Sequence, residues 1–200
     1  MSLANTPSGY GSVAKTFHWL VALMILALIP LGIVANALPA DTSDQIAAKA
    51  RLFTVHKTLG VALFFLALAR ILWAVTQPRP AALHPRRRAE TAAATAAHWI
   101  LYASLILVPL SGWAHHAATT GFAPIWWPFG QSLPFIPEDP GLAQTFAGLH
   151  IVFERVLATV APNAMALLLA CLFLRRAPEE VRTFSALRNE VLRERMDALA

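Results

Sequence analysis

The chain has 200 residues, 57% of them hydrophobic and 14% charged, whereas a soluble domain carries about 45–50% apolar and about 25% charged residues. That balance excludes an ordinary water-soluble protein, and the length accommodates four membrane crossings of about 20 residues each. The formal net charge of +5 does not imply nucleic acid, because the basic residues gather beside apolar segments without the aromatic interleaving of single-strand binders.

The first apolar run extends from Phe17 to about Leu38, with Pro30 and Gly32 placed to bend its far half. It lacks a convincing small-residue cleavage site and reads as a true span rather than a signal peptide. The second run covers Leu52 to Val75 and the third His98 to about Ala118. The fourth covers about Phe146 to Leu174 and is interrupted at Pro162 and Asn163. The one cysteine, Cys171, lies in that run as inert packing, which excludes disulfides and cysteine-built zinc or iron–sulfur centres. The expected fold is all-α: an integral-membrane four-helix bundle in up-down order, since the first two connections are short. Residues 1–176 form this membrane domain, with spans near 17–38, 52–75, 98–118 and 146–174, and 177–200 form a charged tail.

Orientation follows from lysine and arginine. Arg79, Arg86, Arg87 and Arg88 lie between spans two and three, and Arg175, Arg176, Arg182, Arg188, Arg193 and Arg195 follow span four. The loop from His115 to Leu149 contains Glu138 and Asp139 but neither lysine nor arginine. Both termini and the tail are therefore expected in the cytoplasm and that loop outside. Its stretch GFAPIWWPFGQSLPFIPEDPG suits the membrane–water interface, either as an anchor or as a lid.

Histidine placement is the chemical signal. On this orientation His56 and His150 open spans two and four at an outer level, and His18 and His98 open spans one and three at an inner level. Imidazoles at membrane depth are costly unless used, and a six-coordinate haem takes one from each of two facing helices. His56 with His150 meets that demand directly. For His98, beside Trp99, ligation and an interfacial role both remain open. His115 and His116 close span three roughly 26 Å from His98; adjacent histidines point to different helix faces, which favours surface positions. His84 sits in the basic loop as a solvated residue. Arg70, toward the inner level, either neutralises a haem propionate or snorkels to the interface. Lys57, at the outer mouth, would suit an anionic group. Glu154 and Arg155 lie about a turn beyond His150, paired with other groups or with propionates.

The segments KTFHWLVALMI at 15–25, HKTLGVALFFLALARILW at 56–73 and AHWILYASLILVPLSGW at 97–113 resemble the bacterial cytochrome b561 family. WWPFGQSLPFIP at 126–137 and GLH at 148–150 extend the likeness, which covers about residues 10–160. The resemblance implies a four-span dihaem b-type cytochrome of the bacterial inner membrane, with His18, His56 and His150 as ligands of haem iron. The family pairs the first-span histidine with a second span-four histidine 14 residues after the first. Ala164 occupies that position here, flanked by Asn163 and Met165, and from Pro162 onward the likeness is expected to fail. One haem b is therefore expected, and two if His98 or Met165 completes the inner site.

The family carries electrons between a quinone and an external or protein partner, and some members oxidise superoxide while reducing ubiquinone. The resemblance thus implies a haem b electron carrier or a superoxide:ubiquinone oxidoreductase in the lipid bilayer, with a periplasmic or membrane redox partner. Two alternatives stand beside it: a cytochrome subunit of a larger oxidoreductase, and a haem-poor interaction protein that has lost the inner site.

Overall fold

The computed structural model describes residues 2–80, 88–119, 121–129 and 131–175. Four helices account for most of them: α1 (Ser12–Ala37), α2 (Ser43–Thr76), α3 (Arg88–Ala117) and α4 (Pro140–Arg175). No strand occurs among the described residues. The basic loop with His84, the side chains of Ala164, Met165 and Cys171, and the tail from 176 lie outside the described residues.

The helices run beyond the apolar windows because polar residues start them. Thr42 and Gln45 form a reciprocal capping box, with the Gln45 amide donating to Thr42 Oγ1 at 3.3 Å and the Thr42 amide to Gln45 Oε1 at 3.1 Å. This places the start of α2 at Ser43 rather than near Leu52. Asp139 begins α4 in the same manner, its Oδ1 accepting from the Leu142 amide at 2.7 Å. The N-terminal segment folds back over the start of α1, where Asn5 Oδ1 accepts from the Gly11 amide at 3.0 Å. A Cβ on Gly11 would collide with the Leu3 carbonyl oxygen, so this fold-back requires glycine. The prolines in mid-helix, Pro30, Pro109 and Pro162, are all accommodated. The expected interruption at Pro162 is corrected: α4 continues through it, as membrane helices can when neighbours re-satisfy the freed carbonyl.

Three helical segments are long and apolar enough to cross a membrane among the described residues: Ser12–Ala37, Ser43–Thr76 and Thr91–Ala117. The apolar side chains face two ways. Val21, Leu28, Leu63, Ala67 and Leu105 interlock α1, α2 and α3 in a buried core, with Met24, Leu59 and Tyr102 packed against it. Leu26 is 70% exposed and Leu72 64%, and Leu23, Ile33 and Val75 are similarly uncovered. Large apolar residues turned outward along whole helices suit a hydrocarbon solvent rather than water.

The chain comprises two compact units, Met1–Val160 and Ala161–Ala200. The first holds α1, α2, α3 and the first part of α4, with every histidine discussed below. Of the second, the described part is the continuation of α4 to Arg175.

Candidate functional site

α2 and α4 bring His56 and His150 together, both half-buried, with ring centroids 6.4 Å apart and planes at 86°. Metal–imidazole bonds of about 2.0–2.1 Å, with about 1.1 Å from nitrogen to ring centre, put two rings on opposite faces of one metal about 6.3 Å apart. The observed spacing fits a bis-imidazole haem. No group of three or more His, Cys, Asp or Glu suited to a bare ion occurs among the described residues. A two-imidazole donor set instead suits a metal whose equatorial ligands come with a macrocycle.

The neighbouring helices hold these rings. His150 Nδ1–H donates to the Val108 carbonyl at 2.8 Å, and Ser111 Oγ donates to that same carbonyl at 2.9 Å. Nδ1 is thereby fixed as the protonated nitrogen and the Nε2 lone pair is left for a metal. His56 lies beside the backbone of Leu28, yet its Nδ1 is buried without a partner at hydrogen-bonding geometry. Each ring also abuts a glycine of another helix. A Cβ on Gly32 would fall 2.8 Å from His56 Cε1, and one on Gly112 would fall 3.1 Å from His150 Cε1 and Nδ1. Glu154 acts electrostatically on His150 from one turn along α4.

Lys57, next to His56 in sequence, is committed to the chain itself. Its ammonium donates to His116 Nδ1 at 3.1 Å, to the Ala123 carbonyl at 3.2 Å and to the Phe122 carbonyl, which uses all three N–H donors. His116 Nε2–H passes the network to Gln131 Oε1 at 3.2 Å, which also accepts from the Ile125 amide at 2.9 Å. The expected surface position of His116 is therefore corrected. It is 4% exposed, because Lys57 and Gln131 satisfy both ring nitrogens. His115 Nδ1–H turns instead to the Ala143 carbonyl at 2.8 Å, joining α3 to the start of α4.

The aromatic loop closes over this network. Trp127 stacks on Phe65 at 4.9 Å and 11°, Trp113 meets both edge-on, and Trp113 Nε1–H donates to the Gln131 carbonyl at 3.0 Å. Phe129 and Phe135 point outward, 84% and 93% exposed.

Toward the other end of the same helices, Arg70 and His98 both act electrostatically on His18. The Arg70 guanidinium sits 5.4 Å from the centre of the Tyr102 ring, and His98 Nδ1–H donates to its own helix at the Ala94 carbonyl, 2.7 Å away. His18 and His98 are exposed.

The sequence reading missed Gly112, Ser111, Gln131 and the Val108 carbonyl. A signal was available in hindsight: Pro30-Leu31-Gly32 in α1 and Pro109-Leu110-Ser111-Gly112 in α3 place a glycine within a turn of a proline inside an apolar run.

Comparison with known proteins identifies the family. The family model for prokaryotic cytochrome b561 matches residues 9–177. Cytochrome b561 homolog 2 of Escherichia coli (strain K12) is 32% identical over 174 residues, covering 84% of this chain and 87% of the relative. The match runs past Pro162, so the expected failure of the likeness there is corrected: the end of α4 aligns with the family even though Ala164 is no ligand. With a family match along most of the chain and a relative 32% identical over 84% of it, this protein belongs to the prokaryotic cytochrome b561 family.

Proposed function

We propose that the protein is a membrane electron carrier whose outer haem b is held by His56 and His150. The observation that carries this reading is their 6.4 Å ring spacing, combined with the Nδ1–H bond that leaves His150 Nε2 free to bind iron. A haem bound there supplies reversible one-electron chemistry. The chain's part is to present two neutral imidazoles and to fix the tautomer of one through Val108.

The finer assignment is electron transfer between a quinone and an external donor across the bacterial inner membrane, with both termini cytoplasmic and four spans in up-down order. The fourth span is assigned to α4 on its length of 36 residues, against about 20 needed for a crossing. For superoxide as donor, two anions each release one electron and become dioxygen, while the quinone takes two electrons and two protons to become quinol. Lys57 has no N–H left to donate to a superoxide anion, since His116 and two carbonyls take all three.

At the inner level, His18, His98 and Arg70 form a weakened or lost second site in which Ala164 replaces the expected ligand. The protein therefore carries one haem per chain. A reduced-minus-oxidised spectrum with haem counted per chain tests both statements. One low-spin haem, absent from His56→Ala and from His150→Ala, is the expected result. Two low-spin haems would refute the loss of the inner site, and haem retained in either variant would refute the outer pair.

A further inference from the structure

We propose that Gly32 and Gly112 are paired positioning residues, each clearing the main chain of one helix so that an axial imidazole from another helix can seat against it. The proposal rests on His56 and His150 as the ligands. A glycine inside a helix is about 1 kcal/mol less favourable than alanine, so two in mid-span need a compensating contact. The contact is the same at both. A Cβ at Gly32 would stand 2.8 Å from His56 Cε1 and 3.2 Å from its Nδ1, and one at Gly112 would stand 3.1 Å from His150 Cε1 and Nδ1. The nearest atoms in each case belong to the candidate ligand itself.

The relation repeats in the backbone. Positions i and i+4 share one face of a helix, so a glycine uncovers the peptide four residues before it. Gly112 uncovers Val108, whose carbonyl accepts from His150 Nδ1 at 2.8 Å. Gly32 uncovers Leu28, whose backbone lies beside His56. In both places the missing side chain lets an imidazole lie directly against a neighbouring helix, bonded to its carbonyl at Val108 and packed without a bond at Gly32. Gly60 and Gly148 supply the contrast. They lie on the ligand-bearing helices α2 and α4, near His56 and His150 in sequence, and a Cβ at either meets nothing within 4 Å.

The test compares Gly32→Ala and Gly112→Ala with Gly60→Ala and Gly148→Ala in the full-length detergent-purified protein. Haem per chain, the reduced spectrum and the thermal midpoint are read for each. Gly32→Ala and Gly112→Ala are expected to weaken haem retention about 10–100-fold, the range for disturbed support of a ligand, and to alter the spectrum of what remains. Read on haem-free protein, the two controls should keep an unchanged or raised midpoint, since a Cβ at either meets no protein atom. Because a variant could fail by misfolding, Gly112→Ala is also made in His150→Ala, and Gly32→Ala in His56→Ala, with midpoints read on haem-free protein. If the glycines act through the imidazoles, alanine lowers the midpoint when the histidine is present and does not when it is gone. Equal loss in both backgrounds, or full haem in Gly32→Ala and Gly112→Ala, overturns the proposal. Wild-type protein without haem overturns the functional reading alone, and the haem-free cycles still decide the seating.

Discussion

On the proposed ligation, the imidazoles of His56 and His150 are chemically unequal. His150 shares its Nδ1 proton with the Val108 carbonyl at 2.8 Å, which makes it the more basic ligand, whereas His56 Nδ1 is buried without a bond. Ser111 moderates that difference, because its hydroxyl draws on the same carbonyl from 2.9 Å. Ser111→Ala should leave the carbonyl to His150, strengthen the ligand's donation and favour ferric iron. A redox titration should show the haem midpoint falling on the order of 20 mV, the one-electron equivalent of roughly 0.5 kcal/mol; an unchanged or raised midpoint would contradict the sharing. Of this site, the histidines were legible in the sequence because imidazole at the mouth of an apolar run is conspicuous. Gly112, Ser111 and the burial of His116 were not, because each depends on which face of one helix meets which turn of another.

At the scale of elements, the spans were legible as apolar runs and their ends were not. Hydropathy stops where charge begins, but a helix stops where its caps stop, and Thr42 with Gln45 carries α2 back to Ser43. Thr42→Ala should cost about 1 kcal/mol, read as a lowered thermal midpoint. Lys57 is the larger connector, tying α2 to His116 of α3 and to the loop at Phe122 and Ala123. Ala123 adopts a positive φ of 63°, an uncommon backbone state for a residue with a side chain, and its carbonyl is among those Lys57 holds. Lys57→Met should release the loop at a cost of about 2 kcal/mol, the scale of a lost hydrogen bond to a charged group. Limited proteolysis within 118–139 should accelerate while the haem remains; unchanged cleavage would show that the aromatic stack alone holds the loop.

For the whole molecule, the surface already indicates its solvent. Leucines, valines and isoleucines face outward along α1 and α2, while a polar network joins Lys57 and Gln131 through the buried His116. On the proposed topology, the basic residues after span two and after α4 put both termini in the cytoplasm. Reporter fusions at either end should therefore be active only as cytoplasmic reporters, and an external C-terminus would reverse the assignment of outer and inner levels. The all-helical character and the membrane class were legible from composition and run length. Haem number was less so, because it turns on what stands near His18, and no periodicity encodes a partner from a distant helix.

The near-perpendicular setting of the two rings, 86° between planes, has an electronic consequence. Imidazole π-donation acts on the iron orbitals in the plane normal to each ring. Parallel rings reinforce one another and split the orbital pair, whereas crossed rings cancel and leave it nearly degenerate. A ferric haem between His56 and His150 should therefore give a strongly anisotropic low-spin paramagnetic resonance signal, its largest g value well above that of a parallel bis-imidazole centre. On the proposed ligation, the helices that carry the rings set a magnetic signature as well.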